Sequence, residues 1–589
     1  MTRVAVVKKE KCNPKACGDY LCVRMCPINR TGKECITKNP IDKKIVIDEK
    51  LCTGCNICVN RCPFEAISIV NLPEKLDQDP IIRFGQNTFE LFSLPIPKHN
   101  KVVGILGKNG IGKSTALSIL SNQFKPNFGN FKNPPLEKDI THRFSNSELG
   151  DFLKNLYENK IKISYKPQRI ELLPQYYKGK VKDLIEKVDE KKISERLINE
   201  LQLNNVLNRD ISELSGGELQ RLAILACLAK KAQFYFIDEP ASFLDVTQRI
   251  KAARLIKELS KDSAVIVVEH DLATLDYISD ELQIVYGVPA VYGIFSQTKS
   301  TRRGINEYLD GYLPDDNVRF RDYKIKFSEA AFSRDVQKEI EYEYPAFNKE
   351  FNDFILKVSE GKLHKGEVLA IMGANGLGKT TFLKILAGLE TPTNGNVEKV
   401  KVSYKPQYIQ SFDGTVEEVL RKTAKLDFES GWYKQNILEK LNLHSIMKNE
   451  VKNLSGGELQ KLFVALALST DAKIIALDEP SAFVDVEDRL KVAEVIKEFT
   501  IKKEVATIVV DHDVQFIDYL ADSMLVFEGV PGKEGFVLSP LDKRTGMNKV
   551  LKLLDITYRR DKENNRPRIN KPGSQLDELQ REKGEYYYS

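Results

Sequence analysis

The chain has 589 residues, 42% hydrophobic and 29% charged, with a formal net charge of +6. On a prior of roughly one domain per 150 residues this suggests about four domains, with the composition of a globular rather than a disordered chain. No uncharged apolar run approaches the roughly 18 residues that span a bilayer, and the apolar stretch at the N-terminus is too short for a secretory signal, so a cytoplasmic protein without a membrane partner is expected.

Nine of the ten cysteines fall within the first 62 residues, and the tenth, Cys227, stands alone in an apolar helical pattern. Cys52-x2-Cys55-x2-Cys58-x3-Cys62-Pro63 has the bacterial ferredoxin spacing, in which three close thiolates hold one cubane cluster and the fourth reaches across to another. A looser array precedes it, Cys12-x4-Cys17-x4-Cys22-x3-Cys26-Pro27. Together they imply two [4Fe–4S] clusters, one on Cys12, Cys17, Cys22 and Cys62, the other on Cys26, Cys52, Cys55 and Cys58, with Cys35 left over. Zinc favours paired C-x2-C units with a long spacer, and disulfides need an oxidising compartment. Both fit the second array poorly, while the stretched spacing leaves them open for the first. A ferredoxin-like α+β iron–sulfur domain is expected over residues 1–75. Residues 1–71 hold 13 Lys and Arg against 7 Asp and Glu, a surplus equal to that of the whole chain. It reads either as a face for an acidic partner or as ordinary solvated surface.

From residue 100 the chain repeats itself. A buried-strand pattern runs into Gly107-Lys-Asn109-Gly110-Ile-Gly112-Lys113-Ser114-Thr115, and another into Gly373-Ala-Asn375-Gly376-Leu-Gly378-Lys379-Thr380-Thr381. Both are Walker A loops in strand–loop–helix context. Glycine lets backbone N–H groups converge on phosphates at a helix N-terminus. Lys113 and Lys379 would reach the β/γ-phosphates, and Ser114 and Thr380 would ligate Mg²⁺. Four apolar residues deliver Asp238-Glu239 in one copy and Asp478-Glu479 in the other, as buried parallel strands ending in carboxylates. The aspartates would orient Mg²⁺ through water, and the glutamates would act on the attacking water as general bases. His270 and His512 follow a further buried strand, 32 and 34 residues beyond the Walker aspartates, and read as γ-phosphate sensors.

Leu214-Ser215-Gly-Gly217-Glu-Leu-Gln220 recurs as Leu454-Ser455-Gly-Gly457-Glu-Leu-Gln460, each serine 23 residues before its Walker aspartate. This is the signature of the ABC ATPase superfamily, which residues 76–530 resemble. The resemblance implies that the signature Ser and Gly serve the nucleotide on the opposite cassette, in a head-to-tail pair of nucleotide-binding domains with two ATP or ADP and two Mg²⁺. It makes Gln168 and Gln407 the Q-loop residues, also on Mg²⁺, Asp245 and Asp485 the D-loop residues, and Phe84 and Tyr344 the adenine-stacking aromatics. One site would then combine Lys113, Ser114, Gln168, Asp238, Glu239 and His270 with Ser455 and Gly457. The other would combine Lys379, Thr380, Gln407, Asp478, Glu479 and His512 with Ser215 and Gly217.

The Walker lysines are 266 residues apart but the Q-loop glutamines only 239, so the first cassette carries 27 extra residues between these motifs. They are expected around 135–160 as an amphipathic helix pair, either a docking element or a tolerated insertion. Two segments are expected to lie outside the repeat: a hinge over 299–340, and a second hinge with a basic tail over 531–589. The cassettes themselves are expected over 76–298 and 341–530. The tail stretch 556–572 carries six Lys and Arg against two acids, suited to an RNA backbone or to bracing two domains.

Twin cassettes without membrane spans, behind a two-cluster module, resemble one family over the whole chain: the RNase L inhibitor type, ABC subfamily E, ribosome-recycling ATPases of archaea and eukaryotes. Abundant Lys and Ile lean towards an archaeal member. The resemblance implies a monomer whose ATP-driven closure moves the iron–sulfur domain and splits ribosomes. It also implies binding to the ribosomal small subunit and to a release or rescue factor. Two other readings remain: a redox protein coupling electron transfer to ATP hydrolysis, and the energy subunit of a transporter.

Overall fold

A computed structural model describes residues 3–71, 79–325, 327, 339–351 and 353–587. The expected boundary at 75/76 and residues 328–338 of the expected hinge lie outside the described residues. The chain forms two compact units. The first comprises residues 1–240, 255–270 and 278–323; the second comprises 241–254, 271–277 and 324–589.

In the first unit the N-terminal strand Arg3–Val7 pairs antiparallel with Ile67–Asn71, and Ile36–Lys38 with Ile45–Ile47. Short helices Leu21–Met25 and Ile57–Arg61 carry the third cysteine of each array, Cys22 and Cys58. The module is too small for a large apolar core. Its interior is built instead from Ala5, Val7, Ile36, Ile45, Ile47 and Ile67 around six buried cysteines.

The module is tied to the following cassette through polar groups. Asn87 is buried; its side chain accepts from Ile47 N (2.8 Å) and donates to Ile47 O (3.0 Å), and its own carbonyl accepts from Val7 N (3.0 Å). Beside it, Arg83 pairs with Glu49 (2.8 Å) and Glu90 (2.9 Å), and Glu49 also accepts from Ala5 N (2.8 Å).

The first cassette is a nine-stranded sheet. Val102–Gly107 lies between Glu281–Val288 and Ala264–Val268, followed outward by Phe234–Asp238 and Ile163–Lys166, all parallel. The three central runs are apolar almost throughout and buried on both faces, as parallel strands must be. The expected insert folds as two helices, Glu137–Arg143 and Glu148–Tyr157. Ile140, Leu149, Phe152, Leu153 and Leu156 join the core of Val103, Ile105 and Phe236, so the inward face of the insert is spent on the cassette itself.

The second unit repeats this sheet, with Val368–Met372 between Ser523–Val530 and Ala506–Val510, then Ile474–Asp478 and Val402–Lys405. Its strands Glu534–Val537 and Leu541–Asp542 carry the sheet past residue 530.

The two hinge segments, expected outside the repeat, are themselves duplicated. Lys299–Ser300 and Leu541–Asp542 each pair antiparallel with the long strand of their own sheet, Glu281–Val288 or Ser523–Val530. Helices Thr301–Asp310 and Lys543–Leu553 follow, and each sets its fourth residue, Gly304 or Gly546, against that strand at Leu282 or Met524. A Cβ there would lie 2.8 Å from Leu282 Cδ2 or 2.6 Å from Met524 Cβ, which explains the glycine. Two-stranded hairpins complete both segments, Tyr312–Leu313 with Val318–Arg319 and Tyr558–Arg560 with Pro567–Ile569.

Several arginines of the basic tail are paired within the second unit. Arg566 and Arg568 are buried or nearly so and pair with Asp276 (3.3 and 2.7 Å), Arg568 also with Asp561 (3.1 Å), and Arg560 with Asp518 (3.0 Å).

Removing the Asn87 amide leaves the Ile47 N–H and C=O buried without it, at a cost of about 2–4 kcal/mol for two such groups. Asn87→Ala is therefore expected to speed amide hydrogen exchange at Val7 and Ile47 by at least tenfold, while the amides of Val102–Gly107 keep their protection.

Candidate nucleotide and cluster sites

Both Walker A loops end on a glycine in the left-handed region, Gly112 at φ +96° and Gly378 at φ +92°, which is the N-cap of an eight-residue helix beginning at Lys113 or Lys379. A Cβ on Gly112 would sit 2.7 Å from the Phe89 ring, and one on Gly378 would sit 3.2 Å from the Phe354 ring. Conformation and packing thus both demand glycine. Lys113 Nζ donates to Gly107 O (2.9 Å) and Lys108 O (2.6 Å), and Lys379 Nζ to Gly373 O (2.8 Å) and Ala374 O (2.7 Å). Both ammonium groups are therefore already curled into their loops. In the second unit Asp245 Oδ2 accepts from Asn375 N at 2.9 Å, placing the expected first D-loop aspartate on this Walker loop. The other, Asp485, caps helix Val486–Lys503 by accepting from Asp488 N (3.1 Å).

The carboxylates behave as the strand reading required. Burial and the neighbouring Glu239 charge raise Asp238 to about 6, against the pull of Ser114, Lys166 and Lys113. Burial likewise raises Asp478, which accepts from Thr380 Oγ1 at 2.7 Å. A hydroxyl beside a buried, undercompensated carboxylate is a donor set that suits Mg²⁺, a hard cation taken by oxygen ligands. The cation would supply the charge that favours the ionised aspartate.

Three residues predicted separately meet at each glutamate. Glu239 Oε1 accepts from Gln168 Nε2 at 2.7 Å and lies 3.5 Å from His270 Nε2. Glu479 Oε1 accepts from Gln407 Nε2 at 2.7 Å and lies 3.4 Å from His512 Nε2. Burial would raise Glu479, but the His512 contact and the charges of Lys379 and Arg249 outweigh it and hold the carboxyl at about 2. The group is thus a carboxylate, the form a base requires.

Each signature serine is the N-cap of a 14-residue helix, Gly216–Ala229 or Gly456–Ser469, closed by a capping box with Glu218 or Glu458. Ser215 N donates to Glu218 Oε2, and Ser455 N to Glu458 Oε2, each at 2.8 Å. The S-x-x-E pattern of a capping box occurs in both copies and explains why Glu follows the glycines. Gly217 and Gly457 lie in the first turn of these helices.

One expectation about adenine contacts is corrected. Phe84 is 50% exposed and meets Phe124 edge-on at 5.3 Å, as a stacking platform can. Tyr344 is 1% exposed, with its ring against Phe382 and its hydroxyl where a Gly361 side chain would be. It is a core residue and offers no ring face. Phe89 and Phe354 occupy matching positions beside the Walker glycines, and counting back from Phe354 leads to Phe351, 46% exposed, as the counterpart of Phe84. The spacing is shorter in the second copy, Phe89 following Phe84 by five positions but Phe354 following Phe351 by three, which hid the match.

In the N-terminal module the thiols fall into two sets. Burial raises Cys22 to about 12, and Cys12, Cys17 and Cys62 act on it; burial raises Cys58 to about 12, and Cys52, Cys55 and Cys26 act on it. These are the two groups of four expected from the spacing. Cys35 lies against Cys26 and Cys52 and is raised to about 12 by burial and by those two neighbours. Among the described residues no three His, Cys, Asp or Glu side chains close on a single metal ion. Sets of four neighbouring thiols are the donor chemistry that a cubane takes, each iron binding one thiolate. Backbone donors already point at two of the sulfurs, Gly54 N to Cys52 Sγ and Ala66 N to Cys62 Sγ, each at 3.4 Å.

Comparison with known proteins agrees with this division. The family model described as ABC transporter matches residues 93–242 and 356–482. The possible Fer4-like domain in RNase L inhibitor matches 2–34, and the 4Fe-4S binding domain matches 45–68. An uncharacterized ABC transporter ATP-binding protein of Methanocaldococcus jannaschii is 49% identical over 100% of this chain and 97% of its own length. Translation initiation factor RLI1 of Saccharomyces cerevisiae is 43% identical over 100% of this chain and 98% of its own. Among solved structures, a model of ribosome-bound archaeal Pelota and ABCE1 contains a chain 50% identical, with TM-score 0.94, covering 100% of this chain and 99% of that one. A complex of an archaeal ribosomal stalk protein with an archaeal ribosome recycling factor matches at 49% identity and TM-score 0.83, over 87% of this chain and 100% of that one. No described helix is long and apolar enough to cross a membrane. With twin ABC cassettes, an iron–sulfur module and full-length similarity at this level, the chain belongs to the ABC ATPases of the RNase L inhibitor type, ABC subfamily E.

Proposed function

We propose that this chain hydrolyses two ATP per cycle to split ribosomes into subunits, acting as a monomer on the small subunit together with a release or rescue factor. The observation that carries the ATPase half is the meeting of Gln168, Glu239 and His270, repeated at Gln407, Glu479 and His512. Two complete constellations support hydrolysis at both sites. The ribosomal half rests on full-length similarity to RLI1 and to a chain seen with Pelota on the ribosome.

In this reading Lys113 and Lys379 leave their loop carbonyls for the β/γ-phosphates. Ser114, Thr380, Gln168 and Gln407, with Asp238 and Asp478 beside them, would hold Mg²⁺, which when bound would supply charge that stabilises the transferred phosphoryl group. Glu239 and Glu479 take the proton of the attacking water, and His270 and His512 sense the γ-phosphate. Ser215, Gly217, Ser455 and Gly457 serve the nucleotide of the opposite cassette, so ATP draws the cassettes together and hydrolysis releases them. The two thiol sets would hold two [4Fe–4S] clusters, which would stiffen a module too small to be rigid on apolar packing alone.

Sucrose-gradient sedimentation of ribosomes with the protein, ATP and a release factor is expected to show subunits at the expense of whole particles. The Glu239→Gln/Glu479→Gln pair is expected to bind ATP without sustaining turnover. Whole particles that persist with the wild-type chain, ATP and factor contradict the recycling reading.

Stacking on an aromatic side chain is worth about 1–3 kcal/mol per base. Phe351→Ala is therefore expected to raise the Kd for ATP at the second cassette by about tenfold, read with a fluorescent ATP analogue in the full chain. Tyr344→Phe is expected to leave that Kd unchanged.

A further inference from the structure

The glutamates proposed as bases carry an unusual backbone. Glu239 has φ +48° and Glu479 has φ +49°. Outside glycine, asparagine and aspartate this left-handed conformation is uncommon and costs about 1–2 kcal/mol. It follows directly on a buried strand, with Glu239 N still bonded to Val268 O (2.9 Å) and Glu479 N to Val510 O (2.8 Å). The turn must therefore be held from the carbonyl side.

Two buried side chains hold it. Lys166 Nζ donates to Asp238 O (2.7 Å) and Glu239 O (3.1 Å), and Gln220 Nε2 donates to Glu239 O (2.7 Å) and Pro240 O (2.9 Å). The second cassette repeats the arrangement. Lys405 Nζ donates to Asp478 O (2.8 Å) and Glu479 O (3.4 Å), and Gln460 Nε2 donates to Glu479 O. Lys166 and Lys405 are each 1% exposed, and both glutamines are equally buried. A lysine so buried is expensive to keep, and an apolar side chain would fill the space more cheaply. Its partners here are main-chain carbonyls rather than a matching carboxylate. Each lysine stands two residues before its Q-loop glutamine, and each glutamine five residues after its signature serine. The donors therefore come from the two segments of a cassette that carry its Q-loop and its signature.

We propose that Lys166 with Gln220, and Lys405 with Gln460, are positioning residues for ATP hydrolysis: they fix the main-chain turn of Glu239 and Glu479 so that the carboxylate faces its Q-loop glutamine and histidine. A shift of the signature helix then moves the carbonyl of the glutamate in its own cassette, and with it the base. This rests on the reading of Glu239 and Glu479 as bases.

The test uses the full, cluster-loaded chain. Lys166→Met/Lys405→Met removes the ammonium donors at nearly constant shape, and Gln220→Met/Gln460→Met removes the amide donors without any change of charge. A misplaced base loses a large part of the 10²–10⁴-fold that such a group contributes. The lysine pair is therefore expected to lower kcat by about 10–100-fold and the glutamine pair by about fivefold, each with the Kd for ATP within twofold of wild type. If kcat stays within twofold of wild type in both pairs, the proposal is overturned. It is equally overturned if kcat, ATP affinity and Tm fall together, because the side chains then support the fold alone. Should the lysine pair not fold, the glutamine pair decides by the same criteria. Glu239→Gln/Glu479→Gln is run beside them: persistent hydrolysis there overturns the reading of the glutamates, whereas its loss with normal lysine and glutamine variants overturns only the positioning role.

Discussion

The constraint on which each cassette depends is the turn that follows its Walker aspartate. A buried parallel strand can present one carboxylate at its end at little conformational cost, but two in succession must diverge. Asp238 stays within the apolar layer beside the Walker helix, while Glu239 turns through a left-handed residue towards Gln168 and His270. The same divergence occurs at Asp478 and Glu479. In the proposed mechanism the first carboxylate would serve the cation and the second the attacking water. The difference in environment shows in the protonation preferences, burial raising Asp478 while His512 and nearby cations hold Glu479 at about 2.

The N-terminal module solves a different problem, that of staying rigid with little apolar mass. Its interior places thiols where a larger domain would place leucines. Its attachment includes Asn87 and the Glu49–Arg83–Glu90 group. Polar contacts are directional and fix one orientation, and they can be remade with water or another surface when the module moves.

Much of this was legible in the chain because the chemistry sits in short contiguous motifs whose residues have one use. The Walker glycines, the Asp-Glu pairs, the signature and the grouping of Cys26 with Cys52, Cys55 and Cys58 all emerged from spacing. Tyr344 misled because an aromatic ahead of a strand reads the same whether it faces nucleotide or core; only its burial against Phe382 separates them. The duplicated hinge was hidden differently. Arg302-Arg-Gly304-Ile-Asn306 and Arg544-Thr-Gly546-Met-Asn548 do align, but the match lies in one packed glycine and a helical pattern, which carry little information without the strand they rest on. The arginines of the tail could not be assigned from composition, since their partners Asp276 and Asp518 are 292 and 42 residues away in sequence. Lys166 and Lys405 escaped notice because their acceptors are main-chain carbonyls, which leave no trace in a sequence.

In the proposed mechanism each cassette carries a complete hydrolytic constellation built on its own glutamate. The direct measurement is phosphate release in a single turnover, with two ATP bound per chain, for Glu239→Gln, Glu479→Gln and the double variant. The account predicts two phosphates from the wild-type chain, one from each single variant and none from the double. A double variant that still releases both phosphates, or a wild-type chain that releases only one, would contradict it.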